Sequence, residues 1–126
     1  MGSDDSDLID AWLRFNRVQD SKNEEDPDYW AVQALIDMQL DDSEHAWRVA
    51  VRLASKSETD WQLVMVGCGV LEDLLVKEPD RYFPMLEQEI RTTRKLLTAA
   101  SCVWIDEPSR SRMDALLDTY GQARHP

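Results

Sequence analysis

Residues 61–71 read WQLVMVGCGVL, eleven positions without a charge. A helical segment that is apolar on every side belongs at the centre of a domain, so this run is expected to be the buried helix around which the chain packs. Gly67 and Gly69 would each cost about 1 kcal/mol relative to alanine in a helix interior, and they mark either close approach of a neighbouring helix or a break between two helical pieces. The second piece, Val70 to Lys77, ends before Pro79.

Helical signals continue in both directions. Towards the N-terminus, Asp42 and Ser43 cap a helix over about 43–56, with Ala46, Trp47, Ala50, Val51, Leu53 and Ala54 inward. On its outer face Glu44 and Arg48 stand as an i,i+4 pair, continued by Arg52 and Lys56. Before it, Asp26-Pro27 opens a helix over about 27–40 whose inner face is Trp30, Ala31, Ala34, Leu35 and Met38. A first helix over roughly 7–19 follows a Ser6 cap and carries Leu8, Ile9, Trp12, Leu13 and Phe15.

Towards the C-terminus, Pro84 fits only a first turn, which puts a helix near 84–91 with earlier turns from Asp80. Thr92 or Thr93 caps another, containing Leu96, Leu97, Ala100, Val103 and Trp104. Pro108 and Ser109 open the last, whose Met113, Leu116, Leu117 and Tyr120 precede Gly121. No alternating strand pattern and no Asn-Gly or Asp-Gly turn is present. The fold class is therefore all-α, a single bundle of about six to seven short helices over 1–126, with residues 1–5 as a flexible acidic start. Trp12, Trp30 and Trp47 lie 18 and 17 residues apart, which hints at helical-hairpin repeats; three helices of similar length give the same spacing.

At 126 residues and 14.6 kDa the chain has room for one core. Its 14 basic and 25 acidic side chains give a net charge of −11, which argues against nucleic-acid phosphates or anionic lipid and suits a basic partner. The charge is uneven: residues 1–44 carry 13 acidic and 3 basic side chains, while residues 45–126 carry 12 and 11. Cys68 and Cys102 sit in apolar runs, where a free thiol behaves as a small buried hydrophobe. With no basic and apolar leader at the start, a cytosolic location is expected.

Chemistry-bearing patterns are sparse. His45, with Asp41 and Asp42 on its own turn, has no second internal histidine to complete a metal set, and a surface histidine is expected. Cys68 lies between two glycines that would admit a substrate, but its flanks are Val66 and Val70, and packing is the expected role. Of Glu72 and Asp73 at most one can face inward, because neighbouring helix positions point about 100° apart. A partly buried Glu72 would accept bonds from a loop backbone or pair with an arginine. No phosphate-binding, dinucleotide or serine-nucleophile motif is present, and no cofactor is expected.

The run Asp42-Ser43-Glu44-His45-Ala46-Trp47, the block Gly67-Cys68-Gly69-Val70-Leu71-Glu72-Asp73-Leu74-Leu75 and the later Cys102-Val103-Trp104 resemble an uncharacterised bacterial family of small helical domains. The resemblance covers roughly 30–105, implies an all-helical bacterial protein and carries no activity. By size and acidity the chain is also similar to immunity proteins that neutralise basic toxins.

These readings lead to the expectation of a non-enzymatic acidic binding protein, an immunity-type inhibitor of a basic toxin or nuclease. The expected contact residues are Asp20, Glu24, Glu25, Asp26, Asp28, Tyr29, Trp30, Asp37, Asp41, Asp42 and Glu44. Two alternatives stand beside it: a nucleic-acid mimic that fills the groove of a DNA- or RNA-binding protein, and a small hydrolase or transferase using Glu72, Asp73 and Cys68.

Overall fold

A computed structural model describes residues 5–19 and 23–122. Its helices are α1 (Ser6–Phe15), α2 (Tyr29–Asp41), α3 (Ser43–Lys56), α4 (Asp60–Val66), α5 (Glu72–Lys77), α6 (Pro79–Ile90), α7 (Arg94–Ala100) and α8 (Ser109–Thr119). A π turn, Gly67–Leu71, joins α4 to α5, so these pieces form one continuous rod. The described residues thus form seven rods and no strand, the all-α bundle that the periodicity implies. The central rod packs on α3 and α7, α1 and α2 lie side by side next to α3, and α6 carries α8.

Side-chain caps set the starts of α3 and α4. Asp42 accepts the His45 backbone N–H at 3.2 Å and caps α3 as expected. Thr59 and Gln62 form a reciprocal capping box on α4. Gln62 is almost fully buried; its Oε1 accepts from the Glu58 and Thr59 N–H groups, and its Nε2 donates to the Leu13 carbonyl at 2.8 Å, tying α1 to the central rod. Tyr82 is buried against Trp47, ring centroids 5.3 Å apart, and its hydroxyl donates to Ser43 Oγ at 2.8 Å.

Several boundaries differ from the expectations. α1 starts at Ser6 itself, after Asp5, and ends at Phe15 rather than near 19. There the Asn16 side chain turns back to the Trp12 carbonyl, and the exposed Val18 offers no apolar anchor to extend the helix. α2 begins at Tyr29 rather than Pro27, because the Asp26 carboxylate accepts the Asp28 N–H and holds a turn ahead of it. α6 starts at Pro79 and runs through Pro84; burial of Tyr82, Phe83, Leu86 and Ile90 offsets the hydrogen bond that an interior proline forfeits. α7 ends at Ala100, leaving Val103 and Trp104 on the following loop.

The central run is less enclosed than its composition implies. Leu63, Val66, Gly67, Val70 and Leu71 are buried, but Trp61 is half-buried and Cys68 and Gly69 are exposed. Gly67 fits the close-packing reading: a Cβ there would lie 2.1 Å from the Ala99 carbonyl oxygen on α7. Gly69 does not, since a Cβ there meets nothing within 4 Å.

Candidate partner-binding surface

The surface begins with the turn ahead of α2. Asn23 Oδ1 accepts the Glu25 N–H and Asp26 Oδ1 accepts the Asp28 N–H, both at 2.9 Å, and this pair of side-chain turns keeps Glu24 and Glu25 in solvent. Asp28 receives both Nε and Nη2 of Arg14, at 3.1 and 2.9 Å. That hydrogen-bonded pair raises the Arg14 pKa and fixes the entry of α2 against α1. Tyr29 stands edge-on to Phe15, ring centroids 5.7 Å apart, and is half-buried.

Along α2 the core side is Ala31 and Leu35, with Ala34 and Met38 half-buried beside them. Trp30, expected on that side, instead faces out and is 49% exposed. Ile36 and Leu40 are exposed with it, at 42% and 69%, and Gln33, Asp37 and Asp41 complete the outer face. Ile36 and Leu40 were absent from the sequence-derived contact residues. Their exposure depends on which side α1 and α3 cover, and the helix is too uniformly apolar for its sequence to say.

The remaining expected contact residues have varied surroundings. Asp42 is occupied as the α3 cap, and Glu44 pairs with Arg81 of α6 rather than with Arg48. Asp37 accepts from Gln33 at 3.1 Å, and Asp41 is exposed. Asp20 lies outside the described residues. His45 meets Asp5 rather than a metal set, Nε2 to Oδ2 2.7 Å, and no three potential metal-binding side chains converge among the described residues. Asp5, placed by the sequence in a flexible start, is thereby tied to α3.

A second exposed patch lies on α5 and the loop after α7. Gln39 of α2 donates to Asp73, which also pairs with Lys77, and Glu72 accepts the Trp104 backbone N–H at 2.8 Å. Glu72 therefore has the loop-backbone role that its sequence position suggested. Val76 and Trp104, 59% and 58% exposed, line a groove of about 500 Å³ with Pro79, Ile105 and Arg110. Cys68 is exposed rather than core; its thiol donates to the Cys102 carbonyl at 3.3 Å. Partial burial raises its pKa, and the neighbouring Cys102 and Glu72 push it the same way.

These features define an all-helical bundle that carries an apolar and acidic face on α2. Residues 17–120 match a family described as a family of unknown function (DUF6869), and the chain belongs to that family. No curated protein and no solved structure matches it.

Proposed function

We propose that the protein is a non-enzymatic binding protein of the bacterial cytoplasm, an immunity-type inhibitor that neutralises a basic toxin or nuclease domain by direct contact. One observation carries the reading: residues 23–44 hold eight carboxylates and neither lysine nor arginine, and Glu24, Glu25, Asp37 and Asp41 among them are exposed. Such a surface raises the encounter rate with a cationic partner and repels nucleic acid and anionic lipid. Interleaving of those carboxylates with Trp30, Ile36 and Leu40 favours protein contact over nucleic-acid mimicry, which calls for unbroken rows of carboxylates near phosphate spacing. The raised Cys68 pKa weighs against the hydrolase alternative, because the thiolate is the nucleophile.

The test is to express the protein encoded beside this gene alone and together with this chain. Growth arrest relieved by co-expression, with a complex that survives purification, supports the reading. A harmless neighbour, or arrest that co-expression leaves unchanged, overturns it. No helix among the described residues is long and apolar enough to cross a membrane.

A further inference from the structure

From the outer face of α2 we infer the shape and chemistry of what binds there: a basic amphipathic helix of the partner, its apolar side on Trp30, Ile36 and Leu40 and its Lys or Arg side chains over Asp37 and Asp41. The inference deepens the binding-protein reading and rests on it.

At 100° per residue the six outer positions, Trp30, Gln33, Ile36, Asp37, Leu40 and Asp41, fall within an arc of about 140°, and Trp30 to Leu40 spans about 15 Å along the axis. Large apolar side chains gathered on one exposed arc, beside carboxylates, mark an interaction surface more strongly than isolated ones do. Folding does not require them, since α2 is already anchored by Ala31 and Leu35 and clamped at its start by Arg14 and Asp28. Ile36 and Leu40 stand one turn apart, with Trp30 nearly two turns before them and close to the carboxylates, and the roughly three-turn length matches the recognition of one helix by another.

Charge selects the occupant. A second copy of this chain would set against this face another that carries Asp37 and Asp41 and neither lysine nor arginine, and residues 1–44 of each copy hold 13 acidic and 3 basic side chains. An anionic membrane meets the same repulsion. Only a cationic partner covers the apolar arc while giving the carboxylates opposite charges.

The probe is a synthetic helical peptide of about 14 residues, long enough to follow α2 at 1.5 Å per residue, with leucines on one face and lysines on the other. Two controls accompany it, one with glutamate in place of lysine and one with serine in place of leucine. Titrated into the full chain at low salt, the Leu/Lys peptide is expected to shift backbone amide resonances of residues 29–41. Trp30→Ser, Ile36→Ser and Leu40→Ser together should weaken it about tenfold or more, as loss of apolar anchors does. Leu40→Ser alone, at the most exposed position, serves if the triple variant does not fold, and should weaken binding severalfold. Both control peptides should bind at least about tenfold more weakly.

Unchanged affinity for a folded variant, resonance shifts centred on the Val76–Trp104 groove, or equal binding of the Leu/Glu peptide overturns the inference. So does self-association of the chain that Leu40→Ser abolishes. A toxin neutralised normally by the folded triple variant overturns the α2 site but leaves the immunity reading. Peptide binding on α2 with no toxin to neutralise keeps the site and removes that reading.

Discussion

α2 and α3 are consecutive helices of 13 and 14 residues, joined through Asp42 and packed against each other. Both set alanine and leucine toward the core: Ala31 and Leu35 in α2, and Ala46, Ala50, Leu53 and Ala54 in α3, where Trp47 and Val49 join them. Their outer faces diverge. α3 turns Arg48, Ser55 and Lys56 to solvent, the polar stripe of an ordinary surface helix, whereas α2 shows Trp30, Ile36 and Leu40 among carboxylates. Packing accounts for all of α3 and for the inner half of α2. The outer half of α2, which packing leaves unaccounted for, is where the proposed binding site lies.

The strongest test of that division is on the inner faces, which should behave alike. Leu53→Ala in α3 and Leu35→Ala in α2 remove buried methyl groups and should each cost about 2–5 kcal/mol, read from denaturant midpoints. A much smaller loss at Leu35 would mean that α2 is loosely docked and that its exposed residues reflect poor packing. Next comes the rod that both helices rest on. Gly67→Ala drives a methyl into the Ala99 carbonyl, a backbone atom that cannot rotate away, and should cost toward the upper end of about 1–3 kcal/mol. Gly69→Ala, with open space, should be neutral or stabilising by up to about 1 kcal/mol.

For the outer faces the larger effect concerns association. If the proposed basic partner binds this surface, reversing Glu24, Glu25, Asp37 and Asp41 to lysine should slow its association by about ten- to a hundredfold at low salt, and less as salt rises. Asp28 is left intact because it clamps Arg14, and reversing it would mix a folding defect with an electrostatic one. The matching change on α3, Arg48→Glu, should leave the rate unchanged or raise it. Stopped-flow mixing of the purified pair measures both.

Much of this architecture was legible locally. Asp42 as the α3 cap, the stop before Pro79 and the helix opened by Pro108 and Ser109 depend on groups within one turn of each other, so sequence spacing carries them. What was misread depends on distant contacts. Trp30 reads as core because α2 is apolar almost all round, and the positions of α1, α3 and the π turn decide which arc is covered. Pro84 reads as a first turn because its ring forbids an interior hydrogen bond, yet burial of its neighbours carries α6 through. Cys68 reads as buried because its sequence neighbours are apolar; on the rod it lies away from the face formed by Leu63, Val66, Gly67, Val70, Leu71, Leu74 and Leu75, and so meets solvent. Of the candidate surface, the carboxylates were legible from composition, while Ile36 and Leu40 were not.

A smaller effect concerns the central rod, where exposure and reactivity part company. Cys68 is exposed, but its pKa is raised, so at a given pH a smaller fraction is thiolate than in a free cysteine. Iodoacetamide should therefore modify it more slowly than a cysteine in a short peptide at neutral pH, and the gap should narrow as pH rises past the raised value. Faster modification than the peptide would mean an activated thiol and would revive the hydrolase reading.

The smallest expected change in stability returns to the two outer faces. Leu40 and Arg48 are both exposed, and neither Leu40→Ser nor Arg48→Ser opens a cavity or strands a buried polar group, so each should move the denaturation midpoint by no more than about 0.5 kcal/mol. Equal stability is what makes the pair informative. If the apolar arc of α2 is a surface held ready for a partner, Leu40→Ser should shorten retention on a phenyl hydrophobic-interaction column while Arg48→Ser does not, because only the first removes exposed apolar area. Adding Ile36→Ser should shorten retention again without further loss of stability. Retention that ignores Leu40 but falls with Val76→Ser or Trp104→Ser would move the dominant apolar surface to the groove beside α5, and the contrast between α2 and α3 would then reflect helix composition alone.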